Sequence, residues 1–217
     1  MLMTTLINPD VATFINVFTV KPSQQDELVH RIQSDAENTI SRQAGFIKAI
    51  ICRSLDGSKV INLVQWESIE ASRAIHRNPD IAAGFASYQE LGVEMDLRYY
   101  EILLTAGQPL TIQDYGTLMA QVDVLHVAPE NQKHLLEHLI QSTTPAIASQ
   151  AEDQSIVWLR SLDGIRVIRF LHSHSRKADR NAEPSFYQAF TDEKWIEQID
   201  INRYQIEGIV TRQSLLA

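Results

Sequence analysis

RSLDGSKVINLVQW, Arg53–Trp66, is answered later in the chain by RSLDGIRVIRFLHS, Arg160–Ser173. In each, an Asp-Gly step sits between apolar, β-branched runs, the signature of a hairpin turn in which a residue takes positive φ. The copies stand 107 residues apart. That offset also carries Val20 and Pro22 onto Val127 and Pro129, Leu28 onto Leu135, Ile32 onto Leu139, and Gln43-Ala44 onto Gln150-Ala151. Downstream it carries Val60-Ile61 onto Val167-Ile168. Near the end it falls to 104, where Asp96, Tyr100 and Ile102 meet Asp200, Tyr204 and Ile206, so the second copy is three residues shorter between its helices. One offset held over so many positions marks a tandem duplication. The Gly- and Pro-punctuated stretch AGQPLTIQDYG marks its boundary. The expected domains are residues 1–106 and 117–217, joined by a linker at 107–116.

Each copy reads in the same order. ATFINVFTV, from Ala12, is rich in β-branched and aromatic residues and reads as a strand. Lys21-Pro22-Ser23 ends it, with Ser23 the expected cap of the next helix. Leu28, Ile32, Ala36 and Ile40 then recur at helical spacing, which predicts one buried face. FIKAIICRS and KVINLVQWE flank the turn as paired strands. SIEASRAIHRN and DIAAGFASYQEL read as two short helices around Pro79, and DLRYYEILLT as the last strand. The second copy places strands near Leu118–Val127, Ile156–Ser161, Arg166–Leu171 and Ile201–Thr211. This β-α-β-β-α-β order is the ferredoxin-like pattern. A unit of that kind carries helices on one face of its sheet, and the other face needs cover. The expected fold is therefore α+β, two ferredoxin-like repeats packed sheet to sheet as an intramolecular α/β barrel.

Composition narrows the partners. The chain has 217 residues, 44% hydrophobic and 21% charged, with a formal net charge of −8. An acidic balance argues against nucleic acid or an anionic membrane as partner, since both call for a cationic surface. No run reaches the length of a membrane span, and MLMTTLINPDVATF lacks the cationic and apolar regions of a signal peptide. The one cysteine, Cys52, reads as a small buried residue on a strand, which suits a reducing compartment. A cytoplasmic protein is expected, with a homodimer left open.

VINLVQWES carries the candidate chemistry. On a strand Val60, Asn62, Val64 and Trp66 point to one side. Asn is disfavoured in strands, and burying its amide without partners is costly. An amide two pleats from an indole makes a floor for a flat ligand with polar edges. The competing reading is an Asn bonded to a neighbour and a Trp packed in the core. His76, at a helix end, could take a proton near neutral pH or simply face solvent.

These residues resemble the antibiotic biosynthesis monooxygenase (ABM) family of the dimeric α/β-barrel superfamily. The likeness rests on the strand-helix opening, on Ala44-Gly45-Phe46, on the run from Asp56 through VINLVQWESIEA to Ala71, and on His76 with Asn78-Pro79. Within the family it is similar to the cofactor-free, actinorhodin-pathway branch, which oxidises polycyclic phenols to quinones. The resemblance implies catalytic roles for Asn62 and Trp66, no cofactor, and a small aromatic substrate with O₂ as partners. That branch also uses a Tyr, where this chain has Ser72, and an Arg, which is absent near Phe85 and Ala86. Asn16, Val64 and Phe85 complete the expected substrate-contacting set beside catalytic Asn62, Trp66 and His76. Haem-degrading relatives place Trp and His near Ile75 and Phe85; neither is present here, and haem iron needs an axial ligand.

Other signals are weaker. His134 and His138, and His172 and His174, are spaced to share a helix or strand face, but neither pair shows a third ligand, so no metal is expected and they read as solvated. SHSRKADRNAE, from Ser173, reads as a polar loop or frayed helix. At the offset of 107, Asn16 becomes Asp123, Asn62 becomes Arg169 and Trp66 becomes Ser173, so the second copy is expected to hold an ion pair and no site. The leading expectation is cofactor-independent oxygenation of a phenolic or quinol-like substrate in the first repeat. The rival is a non-catalytic module of the same fold that binds an apolar metabolite or serves as an assembly unit.

Overall fold

The computed structural model describes residues 6–107, 119–150, 154–173, 187–192 and 194–212. The first repeat runs β1 (Ala12–Thr19), α1 (Gln25–Asn38), β2 (Phe46–Ser54), β3 (Lys59–Trp66), α2 (Ile69–Ala74), α3 (Pro79–Gln89) and β4 (Glu94–Gly107). The second runs β5 (Met119–His126), α4 (Pro129–Gln150), β6 (Gln154–Ser161), β7 (Arg166–Ser173), α5 (Gln188–Asp192) and β8 (Gln198–Thr211). The α+β class and the doubled ferredoxin-like order are those expected. Most of the expected linker, His174 and the rest of the polar run after Ser173 lie outside the described residues.

Two compact units emerge. One holds residues 10–99 with 205–212, which include the end of β8. In it β1 lies between β3 and β4, β2 lies beyond β3, and β8 borders β2. The other holds residues 6–9, 100–107 of β4, and the described residues from 119 to 204. Its strand order is β8-β5-β7-β6-β4. Each unit thus has the four strands of a ferredoxin-like sheet plus the end of a strand from the other repeat.

The cores follow the predicted periodicities. Leu28, Val29, Ile32 and Ala36 of α1 are buried, as the helical spacing required. Leu28, Val29 and Ile32 pack with Phe18, Ile51, Val60 and Tyr88. In the second unit Leu135, Leu136 and Leu139 pack with Trp158 and Tyr187. Ser23 is not a cap: it lies inside a 3-10 turn at Pro22–Gln24, and α1 begins at Gln25 without a side-chain cap. Pro22 accounts for this, because its fixed φ starts the turn before Ser23 can serve as a boundary.

The repeated RSLDG is held by a lock in each unit. Gln25 Nε2 donates to the Ser54 and Lys59 carbonyls, both at 2.9 Å. Its counterpart Gln132 donates to the Ser161 and Arg166 carbonyls, also both at 2.9 Å. Ser54 Oγ and Ser161 Oγ accept from the backbone N–H of Lys59 and Arg166 at 2.8 and 2.9 Å. Gly57 and Gly164 take φ of +80° and +88°, which L side chains avoid. A Cβ there would press on Pro22 or Pro129 at 3.0 or 3.2 Å. The motif is kept because turn, helix start and proline fit one another.

Cys52 is buried on β2 as expected, and burial first, with Glu207 adding, pushes its thiol up to about 12. Among the described residues no helix is long and apolar enough to cross a membrane.

Candidate active site

Strand β3 supplies the centre. Its register with β1 sets Asn62 directly against Asn16 and Val64 against Phe14. Trp66 is 1% exposed and meets Phe46 edge-on, ring centroids 5.5 Å apart at 81°. A cavity opens between this face and helices α1 and α3. Asn16, Asn62, Val64 and Trp66 line it from the sheet, and Asp35, Phe85 and Tyr88 from the helices. Counting the solvent at its open mouth, the space amounts to about 570 Å³.

Three polar atoms in this apolar space are buried with no hydrogen-bond partner among the described residues: Asn16 Oδ1, Asn62 Oδ1 and the indole nitrogen of Trp66. Leaving such a group unpaired costs about 1–3 kcal/mol. An amide can turn its carbonyl or its NH₂ toward a ligand, whereas an indole N–H only donates. Together they suit the polar edge of a flat aromatic molecule.

The helix side carries a pair that the sequence reading missed. Tyr88 donates its hydroxyl to Asp35 Oδ2 at 2.5 Å. Burial first, then the bond and charge of Asp35, raises the Tyr88 phenol well above its ordinary range, so it stays protonated as a donor. Gly84, one turn before Tyr88, makes room, since a Cβ there would stand 2.5 Å from Asp35 Oδ2. The available signal was the spacing of Gly84 and Tyr88 on one helix face and of Asp35 beside the buried Ala36.

His76 stands apart. It is exposed on the 3-10 turn Ile75–Arg77, and its ring stacks on Phe85 with centroids 6.4 Å apart. It therefore lies behind a cavity-lining ring and is not itself among the lining residues. Ser72, at the place where the resemblance puts a tyrosine, is buried and accepts a hydrogen bond from Tyr99 at 3.1 Å.

The second repeat fills the corresponding place. Asp123 faces Arg169 in the β5–β7 register, and the two form the expected ion pair at 0% and 3% exposure. Gln121 and Tyr187 donate to the two oxygens of Asp123 at 2.8 and 2.5 Å. The Arg169 guanidinium lies over the rings of Trp158 and Tyr187, 5.7 and 5.4 Å from their centroids.

His134 and His138 are exposed, with rings 4.5 Å apart beside Trp195. Among the described residues no group of three His, Cys, Asp or Glu could hold a metal ion. His172 is not solvated as expected. It is 4% exposed, because the β7 register sets it opposite Ala120, where its Nδ1 lies 2.7 Å from the Met119 carbonyl.

Residues 12–87 match the family described as antibiotic biosynthesis monooxygenase. The tetracenomycin-F1 monooxygenase of Streptomyces glaucescens is 37% identical over 78 residues, which are 36% of this chain and 70% of that protein. The chain belongs to the antibiotic biosynthesis monooxygenase family. This ABM relative is a tetracenomycin enzyme and not the actinorhodin-pathway enzyme of the expected branch. Among solved structures, an anthrone oxidase-like protein shares the fold with a TM-score of 0.73 at 18% identity, covering 99% of this chain and 98% of that one. A major regulator of staphylococcal pathogenesis has a TM-score of 0.52 at 9% identity, covering 89% of this chain and 98% of its own. A mutant chlorite dismutase from Candidatus Nitrospira defluvii has a TM-score of 0.52 at 11%, covering 94% of each. At such identities the likeness is one of fold. ABM-like folds serve different tasks, so function has to be argued from the site.

Proposed function

We propose that the first repeat is a cofactor-independent monooxygenase site that oxidises a small phenolic or quinol-like aromatic with O₂. The observation that carries this reading is the set of unpaired polar atoms of Asn16, Asn62 and Trp66 in one apolar cavity. The 37% identity to a monooxygenase supports it.

Ground-state O₂ reacts slowly with closed-shell molecules, but an electron-rich phenolate can give it an electron directly. The site's task is to favour that anion. The Asn62 and Asn16 amides and the Trp66 N–H hold the substrate oxygen as negative charge develops. The phenolic proton leaves to solvent through the open mouth, leaving phenolate; His76, stacked behind Phe85, is not among the residues that line the cavity and does not take the proton directly. Val64 and Phe85 hold the rings and keep water out. O₂ then adds to the ring carbon opposite the oxygen to give a hydroperoxide. Loss of water from it leaves a quinone: one oxygen atom enters the product, and the other departs as water with two substrate hydrogens.

An oxygen electrode with phenols, anthrones and hydroquinones, in the presence of a chelator, tests this. With phenols and anthrones one O₂ should be consumed per quinone formed, with one labelled oxygen in the product and water released; a hydroquinone already carries both oxygens and should give unlabelled quinone and hydrogen peroxide. Asn62→Ala should lower turnover by about 10²-fold. If compounds of all three classes bind and none consumes O₂, the non-catalytic module is the correct reading; Ser72 in the tyrosine position is the feature that favours it.

A further inference from the structure

Asp35 is a half-buried carboxylate on the cavity wall, with no ion-pair partner among the described residues. Among the described residues the Tyr88 hydroxyl is the one hydrogen-bond donor to its side chain. A carboxylate offers about four acceptor sites, so Asp35, a lining residue, has capacity left for a donor from the cavity. Its position is well fixed. Tyr88 is wedged edge-on between Phe18 and Phe85, each 5.8 Å away. Gly84 leaves the space that the carboxylate occupies. At the offset of 107 the second repeat has Ser142, whose hydroxyl donates back to the Leu139 carbonyl at 3.0 Å.

We infer that Asp35 determines specificity: held by Tyr88 beside Gly84, it accepts a hydrogen bond from a substrate hydroxyl other than the one held by Asn62 and Trp66. The inference rests on the oxygenase reading for its substrate class. The site is then two-ended. The sheet end presents amides and an indole N–H to the reacting oxygen. The helix end presents an acceptor that an unsubstituted ring system leaves unsatisfied. The preferred substrate is a fused-ring phenol or anthrone with a second hydroxyl. Asp35 is a binding residue, and Tyr88 acts on the substrate only through Asp35.

The probes are 3,6-dihydroxyanthrone, whose hydroxyls point away from its ketone and are not bonded to it, and anthrone, which carries none. Binding to the full chain is measured under argon, and turnover in air. The wild type should prefer the dihydroxy compound by about 10²-fold, since a site built for a hydroxyl rejects an analogue lacking it. Asp35→Ala should bring the affinity ratio to within about threefold of unity. Gly84→Ala, whose methyl displaces the carboxylate and leaves the helix intact by circular dichroism, should lower the same ratio. So should Tyr88→Phe, through the KM of the dihydroxy compound. A strut that merely tied α1 to α3 would move stability and leave the ratio alone. A ratio unchanged in Asp35→Ala, or no binding of either anthrone, overturns the inference. Selective binding without O₂ uptake leaves it standing and overturns the oxygenase reading instead.

Discussion

In the first repeat β1 and β3 set Asn16 against Asn62; in the second the same two places set Asp123 against Arg169. The backbone frame is shared, down to a glutamine lock on each hairpin. The interiors differ in whether polar groups are answered. Asp123 meets a guanidinium, a phenol and an amide. The Asn16 and Asn62 oxygens and the Trp66 N–H meet no protein group among the described residues. The same two places thus hold open amides in one half and an ion pair in the other, although in the second half too an indole, Trp158 Nε1, has no hydrogen-bond partner among the described residues.

The comparison is most exposed at Arg169. Arg169→Met leaves Asp123 buried without its cation, and should destabilise the protein by about 3–5 kcal/mol in urea unfolding. Adding Asp123→Asn should restore much of that loss, because both charges then go together. Asn62→Ala should behave oppositely: its unfolding midpoint should stay close to wild type while turnover falls. If Asn62→Ala costs as much stability as Arg169→Met, the contrast between an open and a satisfied interior is wrong.

A smaller effect checks what the repeats share. Gln25→Ala and Gln132→Ala should each cost about 1 kcal/mol, and similar amounts, because each removes two hydrogen bonds to hairpin carbonyls while the serine carbonyl keeps the N–H of Gly57 or Gly164. A large inequality would mean that the hairpin lock matters in one repeat only.

The smallest effect belongs to Asp56. Desolvation pushes its carboxyl upward, but hydrogen bonds from Ser54 and Ser58 outweigh this and hold it below its ordinary value. The contribution is therefore full above the unfolded carboxyl range and is lost as pH falls through the lower folded value. For a group this exposed it should stay under about 1 kcal/mol. An NMR titration of the Asp56 carboxyl, compared with Ser58→Ala, measures it; the midpoint should rise in the variant.

Much of this was legible in the sequence because turn chemistry and β-branched runs are local signals. The RSLDG copies located both hairpins, and the Asn62/Trp66 spacing located one wall of the cavity. What stayed hidden depended on distance in the chain. Asp35 and Tyr88 lie 53 residues apart, and nothing local joins them. His172 looked solvated because its partner, the Met119 carbonyl, is also 53 residues away. β4 and β8 were read short: each has 14 residues, and their half-buried positions give a weak alternation. Ser23 misled because a good capping residue cannot act once Pro22 has begun the turn.

The hairpin lock has a consequence for how the chain finds its fold. Gln25 reaches Ser54 across 29 residues, a short closure that a folding chain can make early. Gln132 does the same with an identical five-residue turn. Two interchangeable nuclei in one chain invite the wrong partners to meet, a known failure of repeat proteins. The interiors tell them apart. Pairing β1 with β7 in the native register would lay Asn16 against Arg169, and β5 with β3 would lay Asp123 against Asn62. Each mismatch would bury a charge beside a neutral amide, at a cost of several kcal/mol. The ion pair of the second interior therefore also labels each strand with its proper partner.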